Sequence, residues 1–330
     1  MTSGRTPNAA GRGTMRGHRR RVMTGAIVAA MVAAIAPAAQ AQIAVGAKAD
    51  LRHTVLAHVT ARYLAAQGIA ATVRRGFSAP TLWGAQRDGV VDLAWDSVGI
   101  ALTTRADMPI ATARDLGRDE SVDRLRKRAA DGPIAWPAAA PARGGPVIGV
   151  RADTAEAMDK PTIAALLRRL RRDEAARFGI TTGFAGRPDG IRALAAAPPP
   201  RVAYERLRRL RGKALLPALR AGRITAASLP RNDARVHADD LVHLRDNAGA
   251  FPNHSLAVAV RRDAMAEHPE LADTLRRLAE TIDGTGLRRL TRAARHTESD
   301  PAAAAEQFLR DAELLGMRDA SRTGQLTSGR

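Results

Sequence analysis

Residues 43–73 read I-A-V-G-A-K-A-D-L-R-H-T-V-L-A-H-V-T-A-R-Y-L-A-A-Q-G-I-A-A-T-V, and this segment gives the strongest indication of the architecture. Residues 43–45 predict a short strand that ends at Gly46. Apolar residues at helical spacing from Leu51 to Leu64 predict a helix that Gly68 terminates. Residues 69–73 predict the next strand. The order strand, helix, strand indicates an α/β protein with a mostly parallel sheet.

The same order continues along the chain and then starts again. A helix at 82–87 ends at Gly89 and precedes a strand at 90–93, and a Pro- and Ala-rich segment at 133–146 resembles a linker. Beyond it we predict strands at 147–150, 223–227, 241–244 and 256–260, helices at 162–177 and 214–221, and further helices up to residue 315. Segments 85–92 and 218–225 both run helix, Gly, strand, which indicates an internal repeat; chance similarity is the alternative.

These elements predict a two-lobed α/β fold with mixed, mostly parallel sheets. Residues 43–145 together with 254–325 would form lobe I, residues 146–253 lobe II, and residues 316–330 a flexible, polar tail. About 290 residues follow the N-terminal segment, enough for two lobes of ordinary size. Because ligands bind beyond the carboxyl ends of strands in open sheets, two facing lobes predict a cleft that closes on a small molecule.

The N-terminal residues predict export from the cytoplasm. Residues 1–41 contain six arginines and no Asp or Glu, and an apolar run at 22–36 precedes A-Q-A at 39–41. This order predicts a signal peptide cleaved after Ala41, and a mature protein in the periplasm or at the extracellular face of the cytoplasmic membrane. A membrane anchor is the alternative, although about 15 apolar residues are few for a bilayer. The chain has no cysteine, which excludes disulfides and a lipoprotein.

The chain is strongly basic, with 52 Lys and Arg against 33 Asp and Glu and a net charge of +19. The arginines occur in pairs along predicted amphipathic helices, as at 166–172 and 207–211, without interleaved aromatic residues. This pattern is typical of solvated helix faces, so we predict no nucleic-acid partner. The sequence has no G-x-x-x-x-G-K, H-E-x-x-H or G-x-S-x-G motif. We therefore predict no enzyme, no cofactor and no metal site.

Several motifs, in chain order, resemble the glycine betaine and choline (osmoprotectant) binding proteins of ABC importers. G-A-K at 46–48 resembles their G-S-K, and D-G-V-V-D-L at 88–93 with D-S-V-G at 96–99 resembles S-G-E-I-D-L with E-Y-T-G. Phe184 with R-P-D-G at 187–190 resembles F-x-x-R-P-D-G, and F-P at 251–252 resembles F-P-P. The resemblance extends over residues 43–315. It implies a type II periplasmic-binding-protein (Venus flytrap) fold and delivery of a ligand to permease subunits.

The resemblance also implies an aromatic cage for a quaternary ammonium, because ring faces attract a cation that cannot donate hydrogen bonds. This chain departs from that cage. Ser97, Pro230 and His254 stand where the family has tyrosine, and Pro146 replaces another aromatic residue.

Candidate ligand contacts follow from the predicted strand ends and from the resemblance. Trp95 and Asp96 come directly after a predicted strand, so we expect both to point into the cleft, where they would meet a cationic ligand. Packing of Trp95 in the core is the alternative. Trp83 is a second ring that would replace a missing tyrosine. The full set of candidates is Lys48, Trp83, Trp95, Asp96, Ser97, Asn232, Asp233 and His254.

The sequence thus predicts a substrate-binding protein of an ABC importer that captures glycine betaine, choline or a related quaternary amine. Another small polar solute is the first alternative, because most cage positions are not aromatic. A basic protein that binds anionic envelope polymers is an alternative of a different class. Its binding should fall steeply with ionic strength, whereas capture of a small solute in a cleft should barely change.

Overall fold

The computed structural model describes residues 42–197, 201–296 and 300–315. The predicted signal peptide at 1–41 and the predicted tail at 316–330 lie outside these ranges. The strands are β1 (Ile43–Lys48), β2 (Ala71–Phe77), β3 (Leu93–Ser97), β4 (Ile134–Arg143), β5 (Pro146–Arg151), β6 (Phe178–Ile180), β7 (Leu207–Arg209), β8 (Ala226–Pro230), β9 (Leu241–His243) and β10 (Ser255–Arg261).

Helices cover both sheets, and two short 3-10 helices lie at Tyr204–Arg206 and Ala234–His237. The α-helices are α1 (Leu51–Ala66), α2 (Ala79–Arg87), α3 (Val98–Thr104), α4 (Ile110–Asp115), α5 (Arg118–Arg128), α6 (Ala152–Glu156), α7 (Ile163–Arg172), α8 (Thr182–Gly186), α9 (Ile191–Ala196), α10 (Gly212–Arg220), α11 (Arg262–Glu267), α12 (Leu271–Thr281), α13 (Gly284–His296) and α14 (Pro301–Asp311).

The described strands form two five-stranded sheets with the same topology. The first has the order β2-β1-β3-β10-β4 and the second the order β7-β6-β8-β5-β9. In each sheet the first three strands are parallel, whereas β10 and β5 run antiparallel to both of their neighbours. The two-lobed α/β fold with mixed sheets is confirmed. The expectation of mostly parallel sheets is confirmed as well, because four of the five strands in each described sheet run in the same direction. The exception is the strand that enters from the other sheet, β10 in the first and β5 in the second.

The helix α1 shows how the sequence builds the core of the first sheet. Asp50 caps its N-terminus by accepting a hydrogen bond from the backbone N–H of His53. Its apolar face buries Val55, Leu56 and Tyr63 completely, against the sheet and the C-terminal helices α12 to α14. At about 25 cal/mol per Å² of apolar surface, each such large side chain contributes roughly 1.5–3 kcal/mol. This packing fixes the start of α1 beside the end of β1.

Two of the predicted elements differ most from the structure. The strand predicted at 90–93 lies at Leu93–Ser97 instead, because residues 90 and 91 bond back to the carbonyl of Ala85 and complete the turn after α2. The predicted linker at 133–146 contains the ten-residue strand β4. Pro137 and Pro141 are tolerated there because β4 is an edge strand that pairs only with β10.

Among the residues that the structure describes, no helix combines the length and the apolar character that crossing a bilayer requires.

Candidate functional site

A buried carboxylate lies at the carboxyl end of the first sheet, where β1 and β3 end side by side. Asp96 of β3 is 2% exposed, and its Oδ1 lies 2.5 Å from Nζ of Lys48, the last residue of β1. The backbone N–H of Ser97 donates to the same oxygen at 2.8 Å, and the Arg105 guanidinium contacts Oδ2. Burial alone would raise the pKa of Asp96, but Arg105 and Lys48 outweigh it and hold the pKa well below its usual range.

Arg105 also lies against two tryptophans. It follows α3, and its guanidinium carbon is 4.3 Å from the ring centroid of Trp83 and 5.6 Å from that of Trp136. Only 7% of the Arg105 side chain is exposed. Both distances are within the range of a cation–π interaction, and partial burial strengthens that attraction. The arginine therefore joins an aromatic pair to the Asp96 carboxylate.

His254 lies between residues of the two sheets, immediately before β10. Its ring is 4% exposed, with Nδ1 3.0 Å from the Ser97 hydroxyl of the first sheet. Its Nε2 is 3.5 Å from Oδ2 of Asp189, which precedes α9 in the second half of the fold. Burial lowers the pKa of His254 to about 4, and nearby arginines act in the same direction against Asp189. The imidazole is therefore neutral at pH 7, with one nitrogen facing each sheet.

The R-P-D-G segment at 187–190 owes its form to one buried ion pair and one tight turn. Arg187 donates to both carboxylate oxygens of Asp189, which is fully buried. A Cβ on Gly190 would lie 1.7 Å from the carbonyl oxygen of Phe184, so only glycine is compatible with this backbone. The turn thus holds the Asp189 carboxylate against His254.

Asn232 connects the two sheets directly. Its side-chain N–H donates to the backbone carbonyl of Arg143 at the end of β4, with a distance of 3.1 Å. Its Oδ1 accepts from Nη1 of Arg52, in the first turn of α1, at 3.2 Å. The Thr291 hydroxyl donates to its backbone carbonyl at 2.7 Å. A single amide after β8 therefore bonds to both the beginning of α1 and the end of β4.

Six of the eight candidate residues come together at this junction, and two do not. The six are Lys48, Trp83, Asp96, Ser97, Asn232 and His254. Asp233 instead caps the 3-10 helix at 234–237 and pairs with Arg235 and Arg295. Its carboxylate is used in stabilising the loop after β8.

Trp95 lies in the core and not in the cleft. It is 1% exposed, packs in the cluster beneath α1, and donates its indole N–H to the Thr60 hydroxyl at 2.9 Å. The reason is the shifted strand. Because β3 includes Trp95 and Asp96, the two side chains point to opposite faces of the sheet, and only Asp96 faces Lys48 and Arg105. We therefore remove Trp95 from the ligand contacts.

The sequence prediction missed several residues of the junction, which are Arg52, Arg105, Trp136, Arg143, Arg187, Asp189 and Arg231. Arg187 and Asp189 belong to the R-P-D-G motif, and its two opposite charges are the signal from which both could have been predicted. Trp136 lies in the segment interpreted as a linker, which concealed it. Within the described ranges, no group of three or more His, Asp or Glu residues is arranged to hold a metal ion.

Comparison with known proteins agrees with this fold. A glycine-betaine-binding protein of Pseudomonas aeruginosa is 24% identical over 288 residues, covering 85% of this chain and 91% of that protein. The glycine betaine-binding protein YehZ of Escherichia coli is 24% identical over 256 residues, covering 75% and 83%. A solved glycine betaine/carnitine/choline ABC transporter structure superimposes with a TM-score of 0.70 at 18% identity, covering 83% of this chain and all of that one.

A family profile covers nearly all of the described residues. Residues 41–311 match the family described as the substrate-binding domain of the ABC-type glycine betaine transport system. A binding domain of a transport system holds its solute without transforming it, so the predictions of a binding protein and of no enzyme are confirmed. The chain belongs to the family of substrate-binding domains of ABC-type glycine betaine transport systems.

Proposed function

We propose that this chain binds a small solute at the junction of its two sheets and delivers it to a permease in the membrane. One observation carries the proposal. Polar side chains from both sheets converge where the strands end, with Asn232 of the second sheet bonded to Arg52 of the first and His254 placed between Ser97 and Asp189. Ligands bind at this edge of open α/β sheets, and closure around them is common in two-lobed proteins.

The proposed lobes follow from membership of the two sheets. Residues 43–145 with 254–325 form lobe I, and residues 146–253 form lobe II. The strands β1 to β4 and β10 fall in the first range and β5 to β9 in the second, which supports this division. Two segments, the crossings, connect the lobes: Gly144 with Gly145, and the eleven residues 244–254. A pair of such connections is suited to a hinge between lobes.

Glycine betaine is the first candidate solute, because the matching family and the two relatives bear its name. The arginines around His254 would attract the carboxylate of glycine betaine. Choline has no carboxylate and would not gain this attraction. Another small polar solute is the second candidate. The observation that favours it is the contact of Trp83 with Arg105, because that ring face is engaged by a protein cation.

The setting of the proposed function is outside the cytoplasm. The basic, apolar and A-Q-A segments of residues 1–41 support a signal peptide, and the mature chain would begin at Gln42. Without cysteine, the chain would reach its permease without a lipid anchor. Mass spectrometry of the exported protein should give an N-terminus at Gln42, and a chain that retains Met1 would contradict cleavage.

Thermal unfolding of residues 42–330 against a panel of osmolytes, amino acids and organic acids tests solute capture. A solute at 100 times its Kd stabilises the folded state by about 2.7 kcal/mol. At about 2–4 °C per kcal/mol, the Tm should rise by roughly 5–10 °C. The shift should persist in 0.5 M salt. Stabilisation by polyanionic polymers alone, lost at high salt, would contradict solute capture and support the envelope-polymer alternative.

A further inference from the structure

The junction already contains a cation of its own where a ligand cation would find its partners. Arg105 lies on the face of Trp83 at 4.3 Å and contacts the buried carboxylate of Asp96. A quaternary ammonium needs the same two features, an aromatic face and a compensating negative charge. Lys48 holds the second Asp96 oxygen at 2.5 Å, so both oxygens of that carboxylate are engaged by protein cations.

Three other arginines at the same junction have no carboxylate oxygen within 4 Å of their side-chain nitrogens in the described part of the chain, although Asp50 and Asp96 act on Arg52 from further away. Arg143 ends β4 and Arg231 follows β8, and Arg52 bonds to the neutral amide of Asn232. The Nε of Arg52 is buried and makes no hydrogen bond. The Nε2 of His254 is likewise buried without one, although Asp189 lies 3.5 Å away. Buried polar groups are normally satisfied, so these atoms indicate a missing partner.

The backbone brings these unpaired groups to one place. The Gly144-Gly145 crossing connects them, because a Cβ on Gly144 would lie 3.0 Å from Nη1 of Arg52 and a Cβ on Gly145 only 2.4 Å from the His254 ring. The backbone N–H of Arg231 donates to the carbonyl of Gly145 at 3.2 Å. Arg52, Arg231 and His254 therefore surround one two-residue segment that joins the sheets.

The charge balance of the junction is positive. Its cations are Lys48, Arg52, Arg105, Arg143, Arg187 and Arg231, and its carboxylates are Asp50, Asp96 and Asp189. Six positive charges against three negative ones leave an excess of +3. A further cation would be repelled from such a site, whereas an oxyanion would relieve the mutual repulsion of the guanidinium groups.

We propose that this junction binds a small oxyanion, a carboxylate or phosphate-type solute, through Arg52, Arg143 and Arg231, and that Arg105 excludes quaternary ammonium ions from the Trp83 face. This inference rests on the proposed capture of a small solute; it takes up the second candidate, a small polar solute in place of glycine betaine, and names its chemical class. The planar guanidinium fork matches the two oxygens of a carboxylate or phosphate, which makes arginine suited to this role. Arg52 and Arg143 belong to the proposed lobe I and Arg231 to the proposed lobe II, so one anion would bridge both lobes.

Calorimetric titration of residues 42–330 with succinate, inorganic phosphate, glycine betaine and choline tests the ligand class. The wild type should bind succinate or phosphate at least tenfold more tightly than choline. Comparison of the two affinities shows whether the site prefers an organic acid or a phosphate. Arg143→Ala and Arg231→Ala should each weaken the bound anion about tenfold or more. Arg223→Ala is the matched control, because this exposed arginine precedes β8 while Arg231 follows it. It should leave the affinity unchanged.

Exclusion by Arg105 predicts a gain of binding. Arg105→Ala should bind choline at least tenfold more tightly than the wild type, because the Trp83 face and the Asp96 charge become accessible. Arg105→Lys retains the charge without the planar stack and should not gain choline binding. Circular dichroism melts establish that each variant is folded. If Arg105→Ala does not fold, the wild type is the test: the exclusion predicts that it binds choline at least tenfold more weakly than the anion, and choline binding as tight as anion binding would overturn it.

The outcomes separate this inference from the proposed function. Wild-type binding of choline or glycine betaine without binding of either anion would overturn the anion assignment and leave solute capture standing. Anion binding that Arg143→Ala and Arg231→Ala do not weaken would also overturn it. If no titrant binds, the anion assignment fails; the broader thermal panel then decides separately whether the chain captures any small solute.

Discussion

The indole of Trp95 illustrates how a large buried ring satisfies its one polar atom. Its N–H donates to the Thr60 hydroxyl of α1 in a fully buried position. The Thr60 hydroxyl in turn donates to the carbonyl of Leu56. Buried tryptophans need such a partner for their polar atom, so this pair anchors β3 to α1.

Truncation of this pair should reduce stability and leave solute affinity unchanged. Trp95→Ala should lower the free energy of unfolding by about 3–5 kcal/mol because it opens a core cavity. Thr60→Val should cost about 1–3 kcal/mol by leaving the indole N–H unsatisfied. Urea denaturation measures both losses, and calorimetric titration with the solute that stabilises the wild type measures the affinity. A stable Trp95→Ala variant with lost solute binding would contradict the core assignment.

Part of the candidate site could be predicted from individual residues. Lys48, Asn232 and His254 stand next to predicted strand ends or crossings, and position along the chain is enough to select them. Arg105 and Trp136 could not be selected, because their contact depends on how α3 packs on β4. Such a pairing is set by tertiary packing and leaves no local pattern.

The two-residue crossing from β4 to β5 is the element that most constrains the junction. Gly145 has φ +78°, a left-handed conformation that favours glycine, and a Cβ there would overlap the His254 ring. Gly249 in the second crossing also has a positive φ, of +57°, but a Cβ there would meet no atom within 4 Å. A substitution at Gly249 would therefore cause backbone strain alone, whereas one at Gly145 would cause backbone strain and a steric overlap.

Gly145→Ala should be more damaging than Gly249→Ala. The left-handed conformation costs alanine about 1–2 kcal/mol at either position. Overlap with His254 should add about 1–3 kcal/mol at Gly145 alone and displace the imidazole from Ser97 and Asp189. Denaturant unfolding gives the two losses, and titration of the stabilising solute should show weaker binding only for Gly145→Ala. Equal losses in both variants would argue against a close packed crossing.

Most elements could be predicted from hydrophobic periodicity, and the repeat was detectable as well. The segments around Gly89 and Gly222 both end a helix with positive φ, and each is approached by an arginine from the adjacent crossing strand, Arg261 and Arg151 respectively. The errors have physical causes. Proline suggests a linker but is accepted at a sheet edge, and the turn after α2 extends through residues 90 and 91, which periodicity does not encode.

Two buried histidines couple the stability of the whole fold to pH. Burial lowers the pKa of His53, at the start of α1, to about 4, with Arg52 and Lys48 acting in the same direction and Asp50 against it. His254 has a pKa of about 4 as well, and it faces Ser97, Asp189 and the surrounding arginines. Both are neutral in the folded chain at pH 5, whereas unfolded histidine has a pKa of about 6.5.

Stability should therefore fall as the pH decreases from 7.5 to 5. In this window the unfolded chain binds protons that the folded chain does not, so the free energy of unfolding decreases with decreasing pH. Each histidine should account for a loss of about 2 kcal/mol at pH 5. Urea unfolding at both pH values measures the effect, and His254→Gln should remove about half of it. Equal stability at pH 7.5 and pH 5 would show that neither imidazole is held neutral.

Capture of one solute by both lobes is tested most directly by removing one contact from each sheet. The measurement is calorimetric titration of Lys48→Ala, from the first sheet, and Asn232→Ala, from the second, with the solute that stabilises the wild type most. Each lost polar contact should weaken binding by roughly tenfold, equivalent to about 1.4 kcal/mol. We predict that both variants weaken binding while both remain folded. Unchanged affinity in either variant would contradict a solute held between the two sheets.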